Sequence, residues 1–119
     1  MKNIVLVDDY KDFVKTVSEF IETTNNARCT GFTNPNEVVK YVIETTDNVD
    51  ILITDYEMPQ MNGLELAQKI LMLNKGIRII ILSGYGKTEL QNLCKKHGLS
   101  EKIEVRSKAD TDFLKHLVD

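Results

Sequence analysis

The sequence predicts an α/β fold: an open, doubly wound sheet of five parallel strands with five helices. Three observations carry that expectation. Short, β-branched apolar runs alternate five times with segments whose apolar residues recur at the helical period. The central runs are apolar at nearly every position, as strands covered on both faces must be. Right-handed crossovers then put helices on both faces of one parallel sheet, and five such units are too few to close a barrel.

Each element has its own signature. The first strand is NIVLV (3–7), and Phe13, Val14, Val17, Phe20 and Ile21 form the first helical stripe. ARCTGFT (27–33) alternates, which suits an edge strand. Asn34-Pro35, a cap followed by proline at the first helical position, opens a second helix with Val38, Val39, Val42 and Ile43 on its stripe. DILIT (50–54) is the third strand, and Leu64, Ala67, Ile70 and Leu71 stripe a third helix with Gly76 soon after its end. IRIIIL (77–82) is the fourth strand. A fourth helix follows on Leu90, Leu93, Cys94 and His97, closed by Gly98. KIEVR (102–106) alternates as the other edge strand, and Phe113, Leu114, Leu117 and Val118 predict a short fifth helix. These stripes read as core rather than as cofactor boxes.

Composition bounds the function. A chain of 119 residues is one domain, 1–119, with enough length for a single core and no repeat or linker. Hydrophobic residues make up 42% and the net charge is only −3, so neither a nucleic-acid footprint nor an acidic tail is expected. No apolar run exceeds four residues, which excludes a membrane-spanning helix, and MKNIVLVDD is too short and too acidic for a signal peptide. Cys29 and Cys94 have no metal or redox spacing and read as reduced core thiols of a cytoplasmic protein.

In an open α/β sheet the site forms beyond the carboxyl ends of the strands, where strand order reverses. Strand one ends in Asp8-Asp9, strand three in Asp55, strand four in Ser83 and strand five in RSK with Lys108. The opposite rim offers only the looser set Asn3, Asp50 and Lys102. Each residue has a plainer explanation: Asp9 as a helix cap, Asp8 as a solvated acid, Ser83 as a turn hydroxyl, Lys108 as a surface lysine. Those explanations weaken because all five fall at the same kind of position. Two carboxylates about 4 Å apart repel by roughly 4 kcal/mol at an effective dielectric near 20. Three gathered acids therefore call for a cation or for raised pKa values. Mg²⁺ suits them, since it takes one or two carboxylates and keeps room for a phosphate oxygen. The chain has no GxxxxGK[ST] loop, no GxGxxG turn and no nucleophile elbow, so the simplest phosphoryl acceptor is a carboxylate of the protein itself.

Asp8-Asp9, Asp55 with EMPQMNG, Ser83 and Lys108 resemble the response-regulator receiver domain of two-component signalling, over nearly the whole chain. That resemblance implies a flavodoxin-like sheet in the order 2-1-3-4-5. It implies that Asp55 accepts a phosphoryl group from a sensor histidine kinase or a histidine phosphotransfer protein, so the domain is a switch rather than an enzyme. Asp9, Asp55 and the backbone carbonyl of Glu57 would bind Mg²⁺, with Asp8 joining through water. Ser83 and Lys108 would contact the aspartyl phosphate, and Pro59 and Gly63 would shape the loop. A downstream output domain or protein would read the switch, and a homodimer through helices four and five is a family-based option. Neither direct nucleic-acid contact nor membrane binding is expected of this domain.

The chain also departs from the family. Ala109 stands where proline usually follows the lysine, and Val105 stands at the usual aromatic switch position, with Tyr85 as a substitute aromatic. The segment from Gly98 to Lys108 is long for the family. Two other functions compete. A pseudo-receiver would bind partners without phosphate. A phosphoester hydrolase would use Asp55 as nucleophile with Glu57 as the second acid, but this short chain lacks the cap segments and a motif such enzymes use.

Overall fold

A computed structural model of the chain describes residues 1–74, 76–84 and 86–119. Five strands, β1 (Asn3–Val7), β2 (Arg28–Phe32), β3 (Ile51–Asp55), β4 (Arg78–Ser83) and β5 (Ile103–Ser107), form one parallel sheet in the order β2-β1-β3-β4-β5. The helices are α1 (Lys11–Asn25), α2 (Pro35–Glu44), α3 (Gly63–Leu73) and α4 (Lys87–Lys96).

Alternation along the buried strands feeds two cores. Val5, Val7, Leu52, Ile79, Ile81, Ile103 and Val105 face α2, α3 and α4. Ile4, Leu6, Ile51, Ile53, Ile80 and Leu82 face α1 and the C-terminal segment. Sandwiched strands therefore need apolar residues at consecutive positions, which is why NIVLV, DILIT and IRIIIL were readable. The edge strand β2 has no buried residue, and its positions are exposed or half-buried without strict alternation. The Asn34 side chain accepts from the Asn36 N–H and Pro35 opens α2, as expected. α3 begins with a reciprocal capping box between Asn62 and Glu65.

Three expectations are corrected. The fifth helix is not an α-helix: Asp112–His116 is a 3₁₀ helix, so the described residues hold four α-helices. A fifth α-helix would need an apolar bed on β5. That face instead presents Glu104, which pairs with both Arg78 and Arg106, and Arg106 itself, which stacks on Phe113. Of this stripe only Leu114 and Leu117 are fully buried, with Phe113 and Val118 packed at the edge of the core, and so few deep anchors hold one tight turn rather than a longer helix. Ile43 is 63% exposed despite its place on the α2 stripe. His97 is exposed at the end of α4 rather than buried with Leu90 and Cys94.

The C-terminal turn is held by buried Asn25. Its Nδ2 donates to the carbonyls of Leu114 (2.6 Å) and Ile21 (3.1 Å), and its Oδ1 accepts from the Leu117 N–H (2.9 Å). Asn25→Ala strands the Leu114 carbonyl and the Leu117 N–H inside the protein. The expected cost is about 2–4 kcal/mol, read as a lower urea midpoint; an unchanged midpoint would show that the turn is held by its leucines alone. Both thiols behave as core groups: burial, then the Glu22 charge, pushes the Cys29 thiol up to about 12, and burial also raises Cys94. No helix among the described residues is long and apolar enough to cross a membrane.

Candidate phosphoacceptor site

The sheet delivers the predicted side chains to one rim. Asp8 follows β1 directly, Asp55 ends β3, Ser83 ends β4 and Lys108 follows β5. Neighbouring parallel strands run in matched register, with Asp55 opposite Leu82 and Ser83 opposite Ser107, so their ends lie level. Two backbone bonds lock this edge: the Tyr56 N–H donates to the Leu82 carbonyl at 3.0 Å and the Lys108 N–H to the Ser83 carbonyl at 2.8 Å.

One carboxylate oxygen from each of Asp8, Asp9 and Asp55 lies within 4.8 Å of the other two. Asp8 and Asp55 are buried, at 1% and 8% exposure, while Asp9 is open to solvent. Asp9 does not cap α1. Tyr10 occupies that position without a side-chain bond, and Asp8 Oδ1 accepts from the Tyr10 N–H at 2.9 Å. Lys108 Nζ stands 2.6 Å from Asp8 Oδ2 and 3.6 Å from Asp55 Oδ2. Burial pulls the lysine's pKa down, but the bond to Asp8 and the charges of Asp55 and Asp8 outweigh it and hold the ammonium above its usual value. Asp55 moves the other way for a carboxylate. Burial first, then the charge of Asp8, raises it to about 6, against the pull of Lys108 and the Tyr56 N–H; Asp9 adds a little more.

A cavity of about 200 Å³ opens over this cluster, lined by Asp55, Tyr56, Glu57, Ser83, Gly84 and Lys108. Ser83 is buried at its wall, and Glu57 is exposed at its mouth. The opposite rim has a structural job: the Asn3 N–H donates to Asp50 Oδ2 and its side chain to the Asn48 carbonyl. Lys102 precedes β5 and lies at that far end, so it is no rival to Lys108.

The departures at strand five have local consequences. The Lys108–Ala109 bond is trans. Val105 is buried in the same core as Leu90 and Cys94, so this position holds a short fixed side chain where an aromatic would swing. Tyr85, the substitute aromatic, lies outside the described residues. The long segment after Gly98 closes on itself, with the Lys102 and Ile103 N–H groups both donating to the Leu99 carbonyl, and leaves β5 in register. One contact escaped the sequence. Phe13 was placed with the core of α1, yet its ring also lies under the Lys108 ammonium, 4.5 Å from centroid to Nζ. Only its nearness to Asp9 along the chain hints at the site.

The sequence profile described as "Response regulator receiver domain" matches residues 4–111. The chain belongs to that family. Among curated relatives, the two-component response regulator ARR13 of Arabidopsis thaliana is 29% identical over 76% of this chain and 16% of its own length. The transcriptional regulatory protein YesN of Bacillus subtilis is 31% identical over 83% of this chain and 27% of its own. This receiver domain thus spans about a sixth to a quarter of the length of those relatives. Among solved structures, the response regulator TrrA of Thermotoga maritima, in complex with Mg(2+)-BeF, superposes with a TM-score of 0.77 at 28% identity, covering 99% of this chain and 96% of that one. Receiver domains are generally phosphoacceptors rather than enzymes, and their partners are histidine kinases or phosphotransfer proteins, often with an output domain attached. The acid cluster of this receiver fits a phosphoacceptor site, and the pseudo-receiver alternative is not favoured, because the three acids and Lys108 are all present and converge.

Proposed function

We propose that Asp55 of this receiver takes a phosphoryl group from the phosphohistidine of a sensor kinase or phosphotransfer protein. The observation that carries this reading is the meeting of Asp8, Asp9 and Asp55 within 4.8 Å under the Lys108 ammonium. Residues 1–119 act together as the receiver unit, and a downstream output domain or protein of unassigned pathway reads its state.

The donor set suits a divalent cation. All three are hard carboxylate oxygens, and among the described residues their mutual repulsion is met by one ammonium on one side. Asp9, Asp55 and the Glu57 carbonyl would hold Mg²⁺, with Asp8 joining through water. Bound there, the cation neutralises the cluster and offers a positive contact for phosphoryl oxygens.

The chain's own residues do the rest. An Asp55 carboxylate oxygen forms a bond to phosphorus while the phosphorus–nitrogen bond of the donor breaks, and the imidazole leaves with its electron pair. The strand end holds that oxygen rigidly, where a loop would let it wander. Lys108 is already 3.6 Å from Asp55, so a small turn about its stem brings the ammonium onto a phosphoryl oxygen. The Ser83 hydroxyl, on the same cavity wall, reaches another. The new charge, about −1.5 to −2 by analogy with hydroxyl phosphates, draws both groups inward and with them the chain between Ser83 and Lys87. A population shift of that segment against α4 is the signal.

Incubation with a small acyl-phosphate donor and Mg²⁺, followed by intact-mass analysis, tests the reading. One alkali-labile phosphoryl adduct is expected, absent from Asp55→Asn. Failure to form an adduct in the unaltered chain would return weight to a phosphate-independent binding module.

A further inference from the structure

We propose that Phe13 is a positioning residue for the phosphoryl-transfer site, its ring face seating the Lys108 ammonium over Asp8 and Asp55. This deepens the phosphoacceptor reading and rests on it.

The geometry is three-sided. Lys108 Nζ has Asp8 Oδ2 at 2.6 Å, Asp55 Oδ2 at 3.6 Å and the centroid of the Phe13 ring at 4.5 Å. An ammonium at that distance over a ring face feels the negative side of the aromatic quadrupole, and more strongly where water is partly excluded. The lysine side chain is 28% exposed, so the ring covers flank that solvent would otherwise occupy. Phe13 can do this because it is itself anchored. It stands in the first turns of α1 and packs against the core that holds Ile21 and Leu114. The ring is therefore a fixed wall, whereas Lys108 is a long chain with several rotatable bonds.

The chain has need of such a wall. Lys108 is followed by Ala109, whose backbone imposes no special direction on the lysine. Asp8 holds the ammonium by one charged hydrogen bond at 2.6 Å and Asp55 attracts it from 3.6 Å, which leaves the rest of the long lysine stem without a guide. The Phe13 ring adds direction: it blocks the exit on the α1 side and leaves the lysine free to move only between Asp8 and the cavity over Asp55. Carbon bulk alone would do the blocking but not the attraction.

Replacement of Phe13 by mono-, di- and trifluorinated phenylalanine separates the two effects, since fluorine drains the ring face while the shape is nearly kept. Two readouts are taken on the full chain. The first is the displacement of the Lys108 ε-methylene proton resonances by the ring, without any phosphodonor. The second is the rate of Asp55 phosphorylation by a small acyl phosphate with Mg²⁺, with urea midpoints as a check on folding. The expected result is a stepwise loss of the resonance displacement and a stepwise fall in rate, reaching about three- to tenfold at trifluorination, with the midpoint unchanged. Phe13→Tyr retains the displacement and the rate, while Phe13→Leu loses both. A flat rate across the fluorinated series, or no displacement in the unaltered chain, overturns the proposal. If the unaltered chain forms no adduct at all, the phosphoacceptor reading fails, and the resonance series alone decides whether Phe13 seats the lysine.

Discussion

Asp55→Asn stabilises the metal-free receiver by roughly 2 kcal/mol at pH 7, even as it removes the proposed phosphoacceptor. Asp55 titrates at about 6 in the folded chain against an ordinary value of 3.8, raised by burial and by Asp8. The sign follows from proton counts. Between about pH 4 and pH 6 the folded chain keeps a proton that the unfolded chain has released, so stability falls as pH rises through that window. Above it, the folded chain carries the full cost of a charge held beside Asp8 and Asp9. An amide has no charge to hold, so the variant loses both the cost and this part of the pH slope. Urea unfolding in the presence of a chelator, at pH 7 and near pH 4.5, measures both. Added Mg²⁺ should narrow the gap, because the cation binds the folded acid cluster and stabilises it by mass action. A variant no more stable than its parent at pH 7 would mean that neither burial nor the neighbouring acids burden the Asp55 carboxylate.

Gly63→Ala damages fold and site together. A Cβ at Gly63 would sit 2.4 Å from the Asp55 carbonyl oxygen and 3.1 Å from the Tyr56 Cα, both backbone atoms that cannot turn aside. The contact exists because the start of α3 docks on the end of β3, where the Gly63 N–H donates to the Tyr56 carbonyl at 2.7 Å. Relief requires the loop from Tyr56 to Asn62 to lift off the strand. The expected cost is roughly 3 kcal/mol. The loop also carries the Glu57 carbonyl, so phosphorylation should slow on the order of 100-fold in whatever fraction remains folded. A urea midpoint and a single-turnover phosphorylation rate, measured at the same temperature, test the two effects separately. An unaltered midpoint would show that the loop yields more easily than its packing implies.

The parts of the site that were legible in the sequence share one property. Asp8, Asp9, Asp55, Ser83 and Lys108 each sit at or just past the end of an apolar run, and parallel strands all end on the same rim. Local pattern plus topology was enough to gather them. Gly63 was readable as a loop residue but not as a contact, because the atom it makes room for belongs to another element. The fifth helix was misread for a related reason. Phe113, Leu114, Leu117 and Val118 have the right spacing, but whether a stripe becomes an α-helix depends on what faces it, and Glu104 and Arg106 do not offer an apolar bed. Ile43 and His97 show the same limit, since a stripe says which face is apolar and not how far the neighbouring elements extend.

The sequence by itself determined the strand ends, the acid set, the lysine and the order of elements, because period and punctuation are local properties of a chain. Tertiary structure alone decided that Lys108 pairs with Asp8, that Phe13 lies beneath it, and that Asp55 is pushed up to about 6. Those facts depend on distances between residues as much as 100 positions apart. Coulomb and dispersion energies follow such separations in space, which no pattern along the chain records.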